Sequence, residues 1–100
     1  MTMIKDDGTV SFRFFKKDAA SVVIAGDFNE WQPEGLPMQA DAQQQGWWSI
    51  EMKLGPGEYR FRYFSDGRWF TDFASHGVEL HKREWNSVLV VPDRFGALAA

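Results

Sequence analysis

Trp31 closes the segment 25–31 (AGDFNEW), and Trp69 closes the segment 56–69 (PGEYRFRYFSDGRW). In each, a strand-like apolar stretch runs into a turn rich in Gly, Asp or Asn, with the indole at the far edge. Tryptophans beside turns point to an exposed aromatic surface rather than to core filling. Arg60 and Arg62 share one side of the strand before Trp69, and Asn86 lies next to the last strand. Such an inventory suits a sugar. The C–H patches of a pyranose pack flat on an aromatic ring, while its hydroxyls need donors and acceptors at the rim. Exposed Trp and Arg also anchor protein interfaces, so a protein ligand stays open at this point.

Catalysis has no comparable constellation. The carboxylates mostly sit at turns or strand edges, where solvation or turn capping accounts for them. A glycosidase pair must face each other across a cleft at about 5–10 Å, and one small sandwich seldom makes such a cleft. The two histidines, His76 and His81, match no standard metal spacing, and cysteine is absent. Gly26 and Gly67 sit in hairpin-like settings rather than in a phosphate-cradling loop. The expectation is a binding protein, not an enzyme, with no catalytic residue, cofactor or metal.

Composition narrows the ligand further. With 44% hydrophobic and 25% charged residues, the 100-residue chain reads as one globular domain. A net charge of −3 offers no general attraction to nucleic acid or anionic lipid. The N-terminus lacks the apolar stretch of a secretory signal, and no apolar run approaches a membrane span. A cytoplasmic protein is expected, and the opening Met1 favours a short intact one.

The candidate residues must be positioned by strands. Period-two alternation predicts strands at 9–15, 21–25, 47–52, 58–64, 69–71 and 87–91. Val22, Val23 and Ile24 are apolar on both faces, as in a central strand. Tyr59, Phe61 and Tyr63 have the opposite parity from Arg60 and Arg62 and should face the core. The turn Ser65-Asp66-Gly67-Arg68 signals a hairpin. Trp47 and Trp48 are adjacent, so only one of them faces the core; Trp85 suits either role. The stretches 33–45 and 73–85 read as connections without helix periodicity. The organisation expected is an N-terminal arm at 1–8, an all-β antiparallel β-sandwich at 9–92, and a C-terminal tail at 93–100 that is frayed or an oligomer contact.

The order VVIAGDFNEW, a Trp near a strand start, LGPGEYRFRYFSDGRWFTD and then NSVLVV resembles the glycogen-binding domain family, carbohydrate-binding module family 48. That family includes modules of AMP-activated protein kinase β subunits and N-terminal modules of branching and debranching enzymes. The resemblance spans Val10 to Pro92. It implies an immunoglobulin-like β-sandwich without disulfides that binds α-1,4-linked glucan, glycogen, starch or a maltooligosaccharide, without catalysis. Trp31 and Trp69 match the family's two stacking tryptophans. Arg62 stands where the family has Lys, keeping the charge but changing the hydrogen-bonding fork. Asn86 matches its amide. By ungapped spacing Lys82 and Glu84 occupy places that hold Leu and Thr in the kinase-type modules, which removes about 1–2 kcal/mol of apolar packing over the glucan. Arg60, Lys82 and Glu84 are candidate loop contacts. Some family modules have become docking surfaces. The resemblance therefore also allows a protein-interaction or regulatory module whose partner is a glycogen-metabolising enzyme or a second copy.

Overall fold

In the computed structural model, which describes residues 1–32, 34–73, 75–81 and 83–92, alternation of apolar and polar side chains builds two packed antiparallel sheets. The strands are β1 (Thr2–Ile4), β2 (Thr9–Phe15), β3 (Val23–Gly26), β4 (Leu36–Pro37), β5 (Gln39–Ala40), β6 (Trp47–Lys53), β7 (Gly57–Ser65), β8 (Arg68–Phe70), β9 (Gly77–His81) and β10 (Glu84–Val91). One sheet runs β1-β2-β6-β5; the other runs β4-β3-β7-β10-β9, with β8 also on β7. This is an immunoglobulin-like β-sandwich without disulfides, cysteine being absent from the chain. Among the described residues the only helical element is a 3-10 turn at Asp27–Asn29, and no helix is long and apolar enough to cross a membrane.

The buried residues are the inward parities of facing strands. Val10 and Phe12 of β2 meet Ile24 of β3, Phe61 and Tyr63 of β7, and Leu89 and Val91 of β10. The Phe12 and Phe61 rings meet edge to face at 5.1 Å, and Phe14 stacks on Tyr63 at 4.4 Å. Burial of each such aromatic stabilises the fold by about 1.5–3 kcal/mol, so these rings bind the sheets together without a covalent link. Tyr63 is fully buried, and its hydroxyl donates to Asp72 Oδ2 at 2.9 Å. Burial and the neighbouring carboxylate push the phenol far above its ordinary range.

As expected from parity, Phe61 and Tyr63 face the core while Arg60 and Arg62 face out. Val22 and Ile24 are buried, and β3 lies between β4 and β7 as an interior strand. Trp48 packs against the core, whereas Trp47 lies with Phe15 on the outside. Differences concern short edge strands. The stretch 73–85, read as a connection, contains β9 and the start of β10, joined in a hairpin with Trp85 opposite Leu80. All five residues of β9 are exposed, so hydropathy barely marks the strand; pairing with β10 makes it. Similarly, β4 and β5 lie in the stretch 33–45, and β1 in the arm pairs with Val10–Phe12 of β2. The tail at 93–100 lies outside the described residues.

Candidate functional site

The outward face of the sheet containing β7 gathers the residues singled out by type, and the loop after β3 shows how. Gly26 ends β3 directly against β7: a Cβ there would lie 2.4 Å from the Arg60 carbonyl oxygen and 2.8 Å from Phe61 Cβ. No larger residue fits without separating the two strands. The chain then turns through Asp27–Asn29, closed by Gly26 N–H donating to Asn29 Oδ1 at 2.9 Å and by Trp31 N–H donating to the Gly26 carbonyl at 2.9 Å. Glu30 and Trp31 both take left-handed backbone angles, with φ of 59° and 56°. Such angles cost a non-glycine residue roughly 1–2 kcal/mol, which the loop's hydrogen bonds offset.

Asp27 then fixes the indole. Its Oδ1 accepts from Trp31 Nε1–H at 2.8 Å, and its Oδ2 accepts from the Arg60 backbone N–H at 2.8 Å. One carboxylate thereby ties the orientation of Trp31 to strand β7. Trp69 arrives from the other direction. The β7–β8 hairpin turns through Asp66 and Gly67, both at positive φ (52° and 82°), as a tight two-residue hairpin turn requires. That register sets Trp69 opposite Phe64, with ring centroids 4.9 Å apart. The Trp31 and Trp69 centroids are 6.5 Å apart and their planes are inclined by 59°. Instead of one flat platform, the two indoles form an angled pair.

Arg62 lies between them. Its guanidinium carbon is 4.8 Å from the Trp69 ring centroid and 5.6 Å from that of Trp31, within cation–π range of both. Glu84, at the start of β10, accepts from Arg62 Nη2 at 3.1 Å. Arg62 Nε and Asn86 Oδ1 are buried and have no hydrogen-bond partner among the described residues. The two residues line a cavity of about 450 Å³ together with Trp31, Arg60, Glu79 and His81. Arg60 is held at its rim. Its Nε donates to Glu79 Oε2 at 2.7 Å, and this charged hydrogen bond raises the guanidinium pKa above its ordinary value. Trp31, Arg62 and Trp69 are thus brought together, Asn86 and Arg60 share a cavity with Trp31 and Arg62, and Glu84 closes on Arg62. Lys82 lies outside the described residues. Trp85 has the opposite strand parity from Asn86 and projects from the other face of β10.

Asp27 and Glu79 were not singled out from sequence, and His81 was weighed there only as a metal ligand. Asp27 had a legible signal, since an Asp at a turn start accepts local hydrogen bonds. Glu79 and His81 alternate with Val78 and Leu80, but two apolar residues in an exposed run are a weak strand signal.

A family model described as the glycogen recognition site of AMP-activated protein kinase matches residues 9–95. The chain belongs to this glycogen-recognition family. The match extends over β2 to β10 and so includes every residue of the site. No curated protein matches the chain. A glycogen-recognition module is a binding unit and not a catalytic one. Among the described residues no group of three or more His, Cys, Asp or Glu side chains could hold a metal.

Proposed function

We propose that this glycogen-recognition module binds α-1,4-linked glucan in the angled cleft of Trp31 and Trp69, with Arg62 and Asn86 orienting the sugar. The observation that carries this reading is one buried unmet donor, Arg62 Nε–H, and one buried unmet acceptor, Asn86 Oδ1, on two residues that line one cavity with Trp31, while the Arg62 guanidinium also lies against Trp69. An unmet buried polar group costs about 1–3 kcal/mol. A sugar hydroxyl, both donor and acceptor, can relieve either atom once its side chain turns toward the cavity. The 59° inclination also suits a curved α-linked chain better than a flat β-linked one. Arg60 lies at the rim and meets hydroxyls only after yielding part of its bond to Glu79.

Affinity for short oligosaccharides is expected to be weak, because the cleft is open and the hydroxyls give up water on entry. Calorimetric titration of maltoheptaose into native and Trp69→Ala protein tests the proposal. Saturable binding to the native protein and its loss in the variant support it; equal, negligible binding in both sinks it.

A second reading has its own observation. Val78, Leu80 and Trp85 form an exposed apolar strip on the other face of the β9–β10 hairpin, at a sheet edge. Such a strip supports a protein-interaction or regulatory module that docks a glycogen-metabolising enzyme or a second copy. Solution mass of native and Leu80→Glu protein, with co-purification from the source, tests it. A strictly monomeric protein that captures no partner counts against it.

A further inference from the structure

The outward face of the opposite sheet holds a second cluster of the same chemistry. Phe15 and Trp47 pair in register between β2 and β6, with ring centroids 5.3 Å apart and planes inclined by 59°. The Arg13 guanidinium carbon lies 4.5 Å from the Trp47 ring centroid. Arg13 Nη2 donates to the side-chain carbonyl of Gln44 at 2.6 Å. Two angled aromatics, a guanidinium on an indole face and an amide at the rim therefore recur here. In the cleft described above the inclination is also 59° and the guanidinium lies 4.8 Å from Trp69.

Core packing does not account for the pair. Strand alternation sends Phe14 and Trp48 inward and Phe15 and Trp47 outward. Phe15 remains 51% exposed. It is nonetheless held in place: a Cβ on Gly46 would lie 2.6 Å from the Phe15 ring, so the turn at Gly46 (φ +92°) fits closely beneath that ring. In the turn before Trp47, Asp41 Oδ1 accepts from the backbone N–H groups of Gln43 and Gln44 at 2.8 and 3.2 Å, and Ser49 lies opposite Arg13 on β6. Arg13 is engaged by an amide rather than by a carboxylate. A fixed aromatic pair, a guanidinium held by an amide and a carboxylate in the adjoining turn suit a neutral polyhydroxyl ligand better than an anionic one.

We propose that Arg13, Phe15, Gln44 and Trp47 form a second saccharide site for the same class of α-glucan. The proposal takes its ligand class from the reading that the Trp31–Trp69 cleft binds glucan. The sugar's C–H face packs on Trp47 and Phe15, and its hydroxyls exchange hydrogen bonds with Arg13 and Gln44. The two sites face away from each other on sheets about 10 Å apart, so a short oligosaccharide engages one at a time. A long or branched polymer can engage both, and linking two weak sites raises apparent affinity by up to about 10²–10⁴-fold.

The test follows the five tryptophan indole N–H resonances, assigned by single substitution, while maltoheptaose is added to native and Trp69→Ala protein. A saturable shift of the Trp47 resonance in both proteins is expected. Trp47→Ala and Phe15→Ala, each checked for an intact amide spectrum, should leave the maltoheptaose shifts of Trp31 and Trp69 unchanged. Both should weaken retention on immobilised glycogen at least about tenfold, within the avidity range. A Trp47 resonance that stays still while Trp31 and Trp69 shift overturns the second site and leaves the first reading standing. A Trp47 shift seen only when Trp69 is present is a relayed effect and overturns it too. A Trp47 shift with Trp31 and Trp69 still supports the second site and sinks the first; no shift at any of the three sinks both.

Discussion

Replacing Glu84 by Gln should tighten glucan binding rather than weaken it. Glu84 accepts from Arg62 Nη2 at 3.1 Å, and Arg62 is the cation between the two indoles. For Arg62 to turn its donors to a sugar, that ion pair must loosen. The Arg62 side chain is only 14% exposed, but that of Glu84 is 62% exposed, so solvent screens the attraction and the pair is worth about 0.2–1 kcal/mol. Glu84→Gln removes the charge and keeps an acceptor of similar shape. Stability should therefore fall by no more than about 1 kcal/mol. The maltoheptaose Kd should fall by a factor of up to about five, since about 1.4 kcal/mol is tenfold. Ionic strength supplies an independent check. Raising salt screens the Arg62–Glu84 pair, so native affinity should rise between low and high salt while that of the variant stays flat. Calorimetric titrations at two salt concentrations read both effects. A variant that binds more weakly than native protein refutes the reasoning and makes Glu84 a direct sugar acceptor. So does a native Kd indifferent to salt together with an unchanged variant.

Three other outcomes follow from the same geometry. Gly26→Ala should destabilise the fold by about 1–3 kcal/mol, as overpacking does, because its methyl would enter the β7 backbone; urea denaturation measures this, and a change under about 0.5 kcal/mol contradicts the close approach. Asp27→Ala should cost about 1 kcal/mol of stability through two lost hydrogen bonds and weaken maltoheptaose binding by releasing Trp31; thermal melts with titration read the two effects, and unaltered binding contradicts a positioning role. Tyr63 has its phenol pKa raised in the folded state, so its contribution is complete below the unfolded value near 10 and is lost as pH rises further. Stability measured by denaturant from about pH 8 to 11 should fall above about pH 10, and Tyr63→Phe should flatten that fall; parallel profiles refute it.

Much of the fold was legible because sandwich strands alternate strongly where both sheets cover them. Phe12, Phe61 and Leu89 mark such strands, and Asp66-Gly67 marks its own turn. The edge strands were not legible. Gly77–His81 becomes a strand by borrowing hydrogen bonds from β10 rather than through any apolar pattern of its own. Missing β9 also hid Glu79 and His81, whose place on the cavity wall follows from strand parity once the hairpin exists.

Residue types and local spacing were enough to specify strand parity, the tight hairpin before Trp69 and a set of two indoles, a guanidinium and an amide. Those are local properties, governed by backbone sterics and a two-residue repeat. Long-range packing supplied the rest. The 6.5 Å separation and 59° inclination of Trp31 and Trp69, and the reach of Glu84 to Arg62, depend on strands far apart in the chain meeting in one register. So does the recurrence of the same chemistry at Phe15 and Trp47, since that pair forms only when β2 and β6 come together. Side-chain orientation across a sheet is a property of pairing, and pairing is a global solution to burying the core.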